Sequence, residues 1–110
     1  MEIIYSPESV DDLISIYSYI SSAFFEPDTA EEQVNRIREN IRKLDQMPLR
    51  HKLVDWEPWH SMGMRFFPVD NYDVYYLANM EESKVQVVRI FYAGRDVENI
   101  INREHSDNIR

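Results

Sequence analysis

The sequence predicts an α+β fold in the order β-α-α-β-β-β, with an N-terminal strand and helical hairpin packed on a C-terminal antiparallel meander sheet. Three observations carry that prediction. Apolar residues recur at three- and four-residue steps before residue 48, they alternate after residue 63, and residues 48–62 between have no clean period. At 110 residues, 44% hydrophobic and 29% charged, the chain has the composition of one globular domain.

The elements follow in order. "EIIY" is a β-prone run ended by Ser6-Pro7. Ser6 is suited to cap a helix, Pro7 to its first turn, and Glu8 to the positive end of its dipole. Val10, Leu13, Ile14, Tyr17, Ile20 and Phe24 then mark one face of a helix to about Phe25. Glu26-Pro27 breaks it. Asp28 with Glu31 reads as a capping box, and Ala30, Val34, Ile37, Ile41 and Leu44 form the stripe of a second helix ending at Met47-Pro48. Residues 48–62 read as a loop. "MRFFPV", "YDVYYLAN" and "VQVVRIFY" read as three strands joined at Asp70-Asn71 and "MEESK". Val97, Ile100 and Ile101 suit a short final helix, and the tail from about 103 to 110 has too little to bury to be expected in order.

The composition excludes several classes of function. Without cysteine there is neither a disulfide nor a thiolate metal site, which fits a reducing cytoplasm. The N-terminus lacks the pattern of a signal peptide, and no window approaches the ~18 apolar residues of a membrane span. The formal charge of −8 is unevenly distributed. Residues 1–32 hold eight acids and no Lys or Arg, whereas the rest of the chain balances twelve acids with twelve bases. Between Arg36 and Lys52 six bases stand against Glu39 and Asp45. Such a dipolar chain is not built to coat nucleic acid, although a local basic face is possible.

Strand alternation supplies the candidate site. In the last strand Gln86, Val88, Ile90 and Tyr92 share one face, expected to meet the helices, and Val85, Val87, Arg89 and Phe91 share the other, expected to be open. Arg65 in the first meander strand would converge with Arg89 on that open face, with Arg95 at its rim, as an anion or partner site. The plainer alternative pairs Arg89 with Asp73, Asp96 or Glu98.

The C-terminal half, "MRFFPVDNYDVYYLANMEESKVQVVRIFYAGRDVENII", resembles the RelE/ParE superfamily of bacterial type II toxins. The resemblance rests on Arg65, the turn Pro68-Val69-Asp70-Asn71-Tyr72, the pair Tyr75-Tyr76, and the ending "RIFYAGRD" from Arg89 to Asp96. "YSPESVDDLISIYSYI" extends it to the family's opening strand, Ser-Pro turn and helix. It implies a growth-inhibiting, plasmid-stabilising toxin neutralised by a cognate antitoxin, with DNA contacted only through that antitoxin. RelE-like and YoeB-like members cleave mRNA on the ribosome; ParE-like members bind DNA gyrase.

Cleavage of RNA by 2′-OH attack needs a base, an acid and cations around one phosphate. The nuclease reading assigns Arg65 and Arg89 to the phosphate and Tyr92 to the acid, with Glu57, His51 or His60 as base. Tyr72 and Phe91 stand where YoeB-like nucleases have an arginine and a histidine, and only Lys43 and Lys52 approach the RelE-like lysines. The chain therefore sits closer to the ParE-like side, with Arg65, Arg89, Arg95, Trp56 and Trp59 as partner-binding candidates.

The remaining features are read blandly. Trp56 and Trp59 suit a loop folded onto the core, and Tyr72, Tyr75 and Tyr76 suit packing. His51 and His60 lack a third ligand, Asp11-Asp12 and Glu31-Glu32 read as solvated helix faces, and neither metal nor cofactor is expected.

Overall fold

A computed structural model describes the backbone of residues 1–109 and the side chains of residues 1–104. The chain runs β1 (Glu2–Tyr5), α1 (Pro7–Ala23), α2 (Pro27–Arg42), a 3-10 turn (Lys43–Asp45), β2 (Lys52–Leu53), α3 (Trp59–Met62), β3 (Arg65–Val69), β4 (Tyr72–Asn79), β5 (Lys84–Tyr92) and α4 (Val97–Ile109). The predicted α+β order is present. Residues 48–62, expected to be loop throughout, add the two-residue strand β2 and the single turn α3. The expected loss of order from about residue 103 falls largely on side chains outside the described residues; the backbone there continues α4 to Ile109.

One mixed sheet has the order β1-β5-β4-β3-β2, with β1 parallel to β5 and the other neighbours antiparallel. Both flanking strands are short. β2 pairs only with Arg65 and Phe66, so the outer edge of β3 beyond it carries Pro68, which has no N–H to offer.

Ser6 starts α1 as expected, its Oγ accepting from Ser9 N at 3.0 Å. The same hydroxyl donates to Val88 O at 2.7 Å. α2 starts at Pro27 with Glu26 in the cap position and no side-chain cap, so the expected Asp28–Glu31 box does not form. The physical reason is Pro27, whose fixed φ and missing N–H suit the first helical position and place Asp28 inside the first turn. α3 closes on Gly63 at φ 86°, a left-handed conformation that glycine adopts without a Cβ penalty.

The expected faces of β5 are half wrong, and a bulge explains why. Tyr76 pairs with Val87 and Tyr75 with Arg89, leaving Val88 as an extra residue. Before the bulge Val85 and Val87 pack in the helix-side core with Ile16, Ile37, Ile41 and Leu44, the reverse of the expected phase. After it the expected phase holds, with Ile90 on the helix side and Phe91 on the other. That second face is not open. Val97 and Ile101 of α4, together with Val54, Trp59 and Met64, cover Tyr75 and Phe91 there.

Candidate functional site

Arg89 lies just past the bulge, where β1 has already ended. Its Nε and Nη2 donate to the two oxygens of Asp12 at 2.8 and 2.9 Å, a bidentate pair reaching from β5 to α1. Asp12 Oδ2 also accepts the backbone N–H of Ile90 at 2.9 Å, a donor that β1 is too short to meet. Arg89 Nη1 donates to Glu104 of α4, and the guanidinium carbon stands 4.3 Å from the centroid of the Phe91 ring. Both side chains of the Arg89–Asp12 pair are only 13% exposed. The bonds from Asp12 push the Arg89 pKa further up, burial opposes them, and Glu104 adds to the rise, so the charge is permanent. The acids that neutralise Arg89 are therefore Asp12 and Glu104 rather than Asp73, Asp96 or Glu98.

Arg65 does not join it. Its strand neighbours Phe67 and Val69 and its cross-strand partner Tyr76 belong to the helix-side core, whereas Tyr75 opposite Arg89 belongs to the other core. The two arginines thus lie on opposite faces, and the expected convergence fails because the bulge shifts β5 by one residue relative to β3. Arg65 Nη1 donates to His51 O at 2.7 Å, and its Nε is buried with no hydrogen-bond partner. His51 stacks on Phe67 at 4.3 Å, and its pKa is lowered by burial, then by Arg50 and Arg65, favouring neutral imidazole.

Tyr92 ends β5 on the helix side, 57% exposed, edge-on to Tyr72 at 5.7 Å. Tyr72 is four residues along β4 from the partner of Arg65, roughly 13 Å at about 3.3 Å per residue. Arg95 is exposed, with its guanidinium carbon 5.8 Å from the same Phe91 ring that Arg89 covers. Trp59 is 2% exposed and its Nε1 donates to Asn102 Oδ1 at 2.9 Å, tying α3 to α4. Trp56 is half-buried beside Tyr75, with its Nε1 unpartnered. Of the other base candidates, Glu57 accepts from the Ser61 hydroxyl and from the Ser61 backbone N–H, the latter at 2.7 Å, and these bonds, the hydroxyl first, hold its carboxyl below the usual range. His60 Nδ1 is 2.8 Å from Val54 O. Among the described residues no group of three His, Cys, Asp or Glu side chains could hold a metal ion, and no helix is long and apolar enough to cross a membrane.

Residues 3–97 match the family described as the ParE toxin of the type II toxin-antitoxin system, parDE. The chain belongs to this ParE toxin family. Among curated proteins none matches it. Solved toxin–antitoxin structures share its fold, three of them as follows. The chromosomal ParDE toxin–antitoxin system from P. aeruginosa superposes with a TM-score of 0.68 at 20% identity, over 84% of this chain and 95% of that one. The RelBE2 toxin–antitoxin complex from Mycobacterium tuberculosis gives 0.57 at 18% identity, over 86% and 92%. The YoeB/ParE toxin from Agrobacterium tumefaciens gives 0.59 at 14% identity, over 84% and 98%. This match agrees with the resemblance carried by Arg65, the Pro68–Tyr72 turn, Tyr75-Tyr76, the Arg89–Asp96 ending and the N-terminal strand–Ser-Pro–helix stretch. In this ParE-family chain α4 starts at Val97, where the family match stops, so Glu104 lies beyond the matched region.

Sequence reasoning missed Asp12, Glu104 and the second role of Ser6. Helical periodicity puts Asp12 on the flank between the buried Ser9–Ile16 face and solvent, which is the one available signal. Nothing local announces that β1 ends before Ile90.

Proposed function

We propose that this protein is the toxin of a toxin–antitoxin pair, that a cognate antitoxin neutralises it, and that it inhibits growth by binding a protein target, DNA gyrase, in the cytoplasm. In this reading it does no chemistry on RNA and meets DNA only through the antitoxin. The observation that supports it is the dispersal of the residues an RNA-cleaving site would use. Arg89 is neutralised by Asp12 and Glu104 on one face, while Arg65 and Tyr92 stand at opposite ends of the other. A phosphate needs its cation, acid and base within about 3 Å of the reacting atoms, and no single phosphate reaches all three. A docking surface has no such requirement: exposed Arg95 and half-buried Trp56 serve it as they stand, whereas Arg65, Arg89 and Trp59 act beneath it as supports.

The test compares two assays on the purified chain. Inhibition of gyrase supercoiling with translated mRNA left intact is the expected result. Cleavage of mRNA on translating ribosomes with supercoiling untouched would overturn the binding reading and establish a RelE- or YoeB-like nuclease. Induced expression without growth arrest, in cells lacking the antitoxin, would overturn the toxin reading itself.

A further inference from the structure

A cavity of about 360 Å³ opens between the first turn of α1 and α4, against β4 and β5. Its size falls within the ~300–1,000 Å³ of small-ligand sites. The walls are apolar: Trp59 and Met62 of α3, Leu77 of β4, Val88 of β5 and Ile101 of α4. Val88 is the bulged residue, without a cross-strand partner on β4. Leu77 and Val88 are half-buried and Met62 is exposed, so part of this apolar surface remains open to a ligand arriving from solvent.

The polar groups on the rim select the occupant. Ser6 Oγ is used twice, accepting from Ser9 N and donating to Val88 O. Arg89 commits Nε and Nη2 to Asp12 and donates from Nη1 to Glu104, which leaves an incoming anion no free fork. Asp12 alone cancels the Arg89 charge, so Glu104, 43% exposed, is a surplus carboxylate. Glu8 is another, exposed and in no ion pair among the described residues. Among those residues no other cation lines the cavity, and the exposed amide of Gln86 stands on the same rim. An anion is repelled here, and a purely apolar molecule leaves the two carboxylates unanswered. A cation with an apolar body satisfies both walls and rim.

We infer that this cavity binds a small amphipathic amine. Its apolar body lies on Met62, Leu77 and Val88 beside Trp59, and its ammonium meets Glu8 and Glu104 at the rim. This inference goes beyond the toxin reading and stands whether or not the chain inhibits growth.

The experiment is calorimetric titration of the full chain with octylamine, and with octanoate as the same kind of chain carrying the opposite charge. The expected result is binding of the amine at about 100 µM, with the acid weaker by roughly tenfold or more. Glu8→Gln and Glu104→Gln, which preserve side-chain size, should each weaken the amine roughly fivefold, and salt should weaken it further. Met62→Ser, at an exposed position, should cost roughly tenfold, with Met80→Ser on the far β4–β5 turn unchanged. Equal binding of amine and acid, or an amine affinity indifferent to Glu8→Gln, Glu104→Gln and Met62→Ser, would overturn the inference. Tighter binding of a capped Leu-Lys-Leu tripeptide than of octylamine would assign the cavity to a protein side chain and overturn it equally.

Discussion

Asp12 and Arg89, 77 residues apart, form a bidentate pair at the point where β1 stops and α1 takes over the flank of β5. One carboxylate meets both a largely buried guanidinium and the Ile90 N–H that the strand leaves open. The position is therefore structural on both counts, and its loss should be costly.

Asp12→Ala should destabilise the fold by about 3 kcal/mol, since it leaves a mostly buried cation short of a partner and an edge N–H without an acceptor. Asp12→Asn should cost less, because its amide oxygen still accepts from Ile90. Urea melts of Asp12→Ala, Arg89→Met and the double variant check this. Strictly additive losses would rule out the coupling.

Ser6→Ala removes two bonds at once, the cap of Ser9 N and the donor to Val88 O, inside a site where Ser6 is 7% exposed. A loss of about 2 kcal/mol is expected, with amide exchange accelerating both in the first turn of α1 and around the bulge. Acceleration confined to the helix would refute the link between them.

Burial pushes the phenols of Tyr75 and Tyr76 up to about 12. Because these folded values exceed the unfolded value of about 10, their contribution is fully present below pH 10 and is lost as the pH climbs towards 12. Ultraviolet titration should find part of the tyrosine complement ionising late, and Tyr76→Phe should flatten the alkaline loss of stability. Ionisation of all seven tyrosines near pH 10 would contradict the burial.

Asp70 holds the β3–β4 turn at φ 54° and accepts from Arg36 Nε at 2.8 Å and Gln33 Nε2 at 2.9 Å. These bonds, Arg36 first, lower its pKa, so its contribution is present above the unfolded value near 3.8 and fades as pH falls. A carboxyl NMR titration should put Asp70 below the ordinary aspartate range and return it upwards in Arg36→Ala. No change in that variant would remove Arg36 as the cause.

The element order was legible because helix and strand periods differ and because Pro7, Pro27 and Pro48 punctuate the chain where the helices begin or end. The family was legible from motifs at the β3–β4 turn and the end of β5. The faces of β5 were not. A one-residue bulge at Val88 leaves no mark in the run Val85–Tyr92, which carries no glycine, proline or turn residue, yet it separates Arg65 from Arg89 and reverses Val85 and Val87. The cover over Phe91 was hidden for another reason. A weakly apolar tail gives no hint that Ile101 and Asn102 will dock on Phe91 and Trp59.

The sheet gives out on both flanks in a way that matters beyond its own stability. At one margin Asp12 occupies the donor that follows β1, and at the other Pro68 removes a donor beyond β2. An extended foreign segment that ran along β5 past the end of β1, or along β3 past β2, would meet no continuous ladder to join. Neither polymerisation by edge-to-edge stacking nor capture of a partner through an added strand is open at these two points.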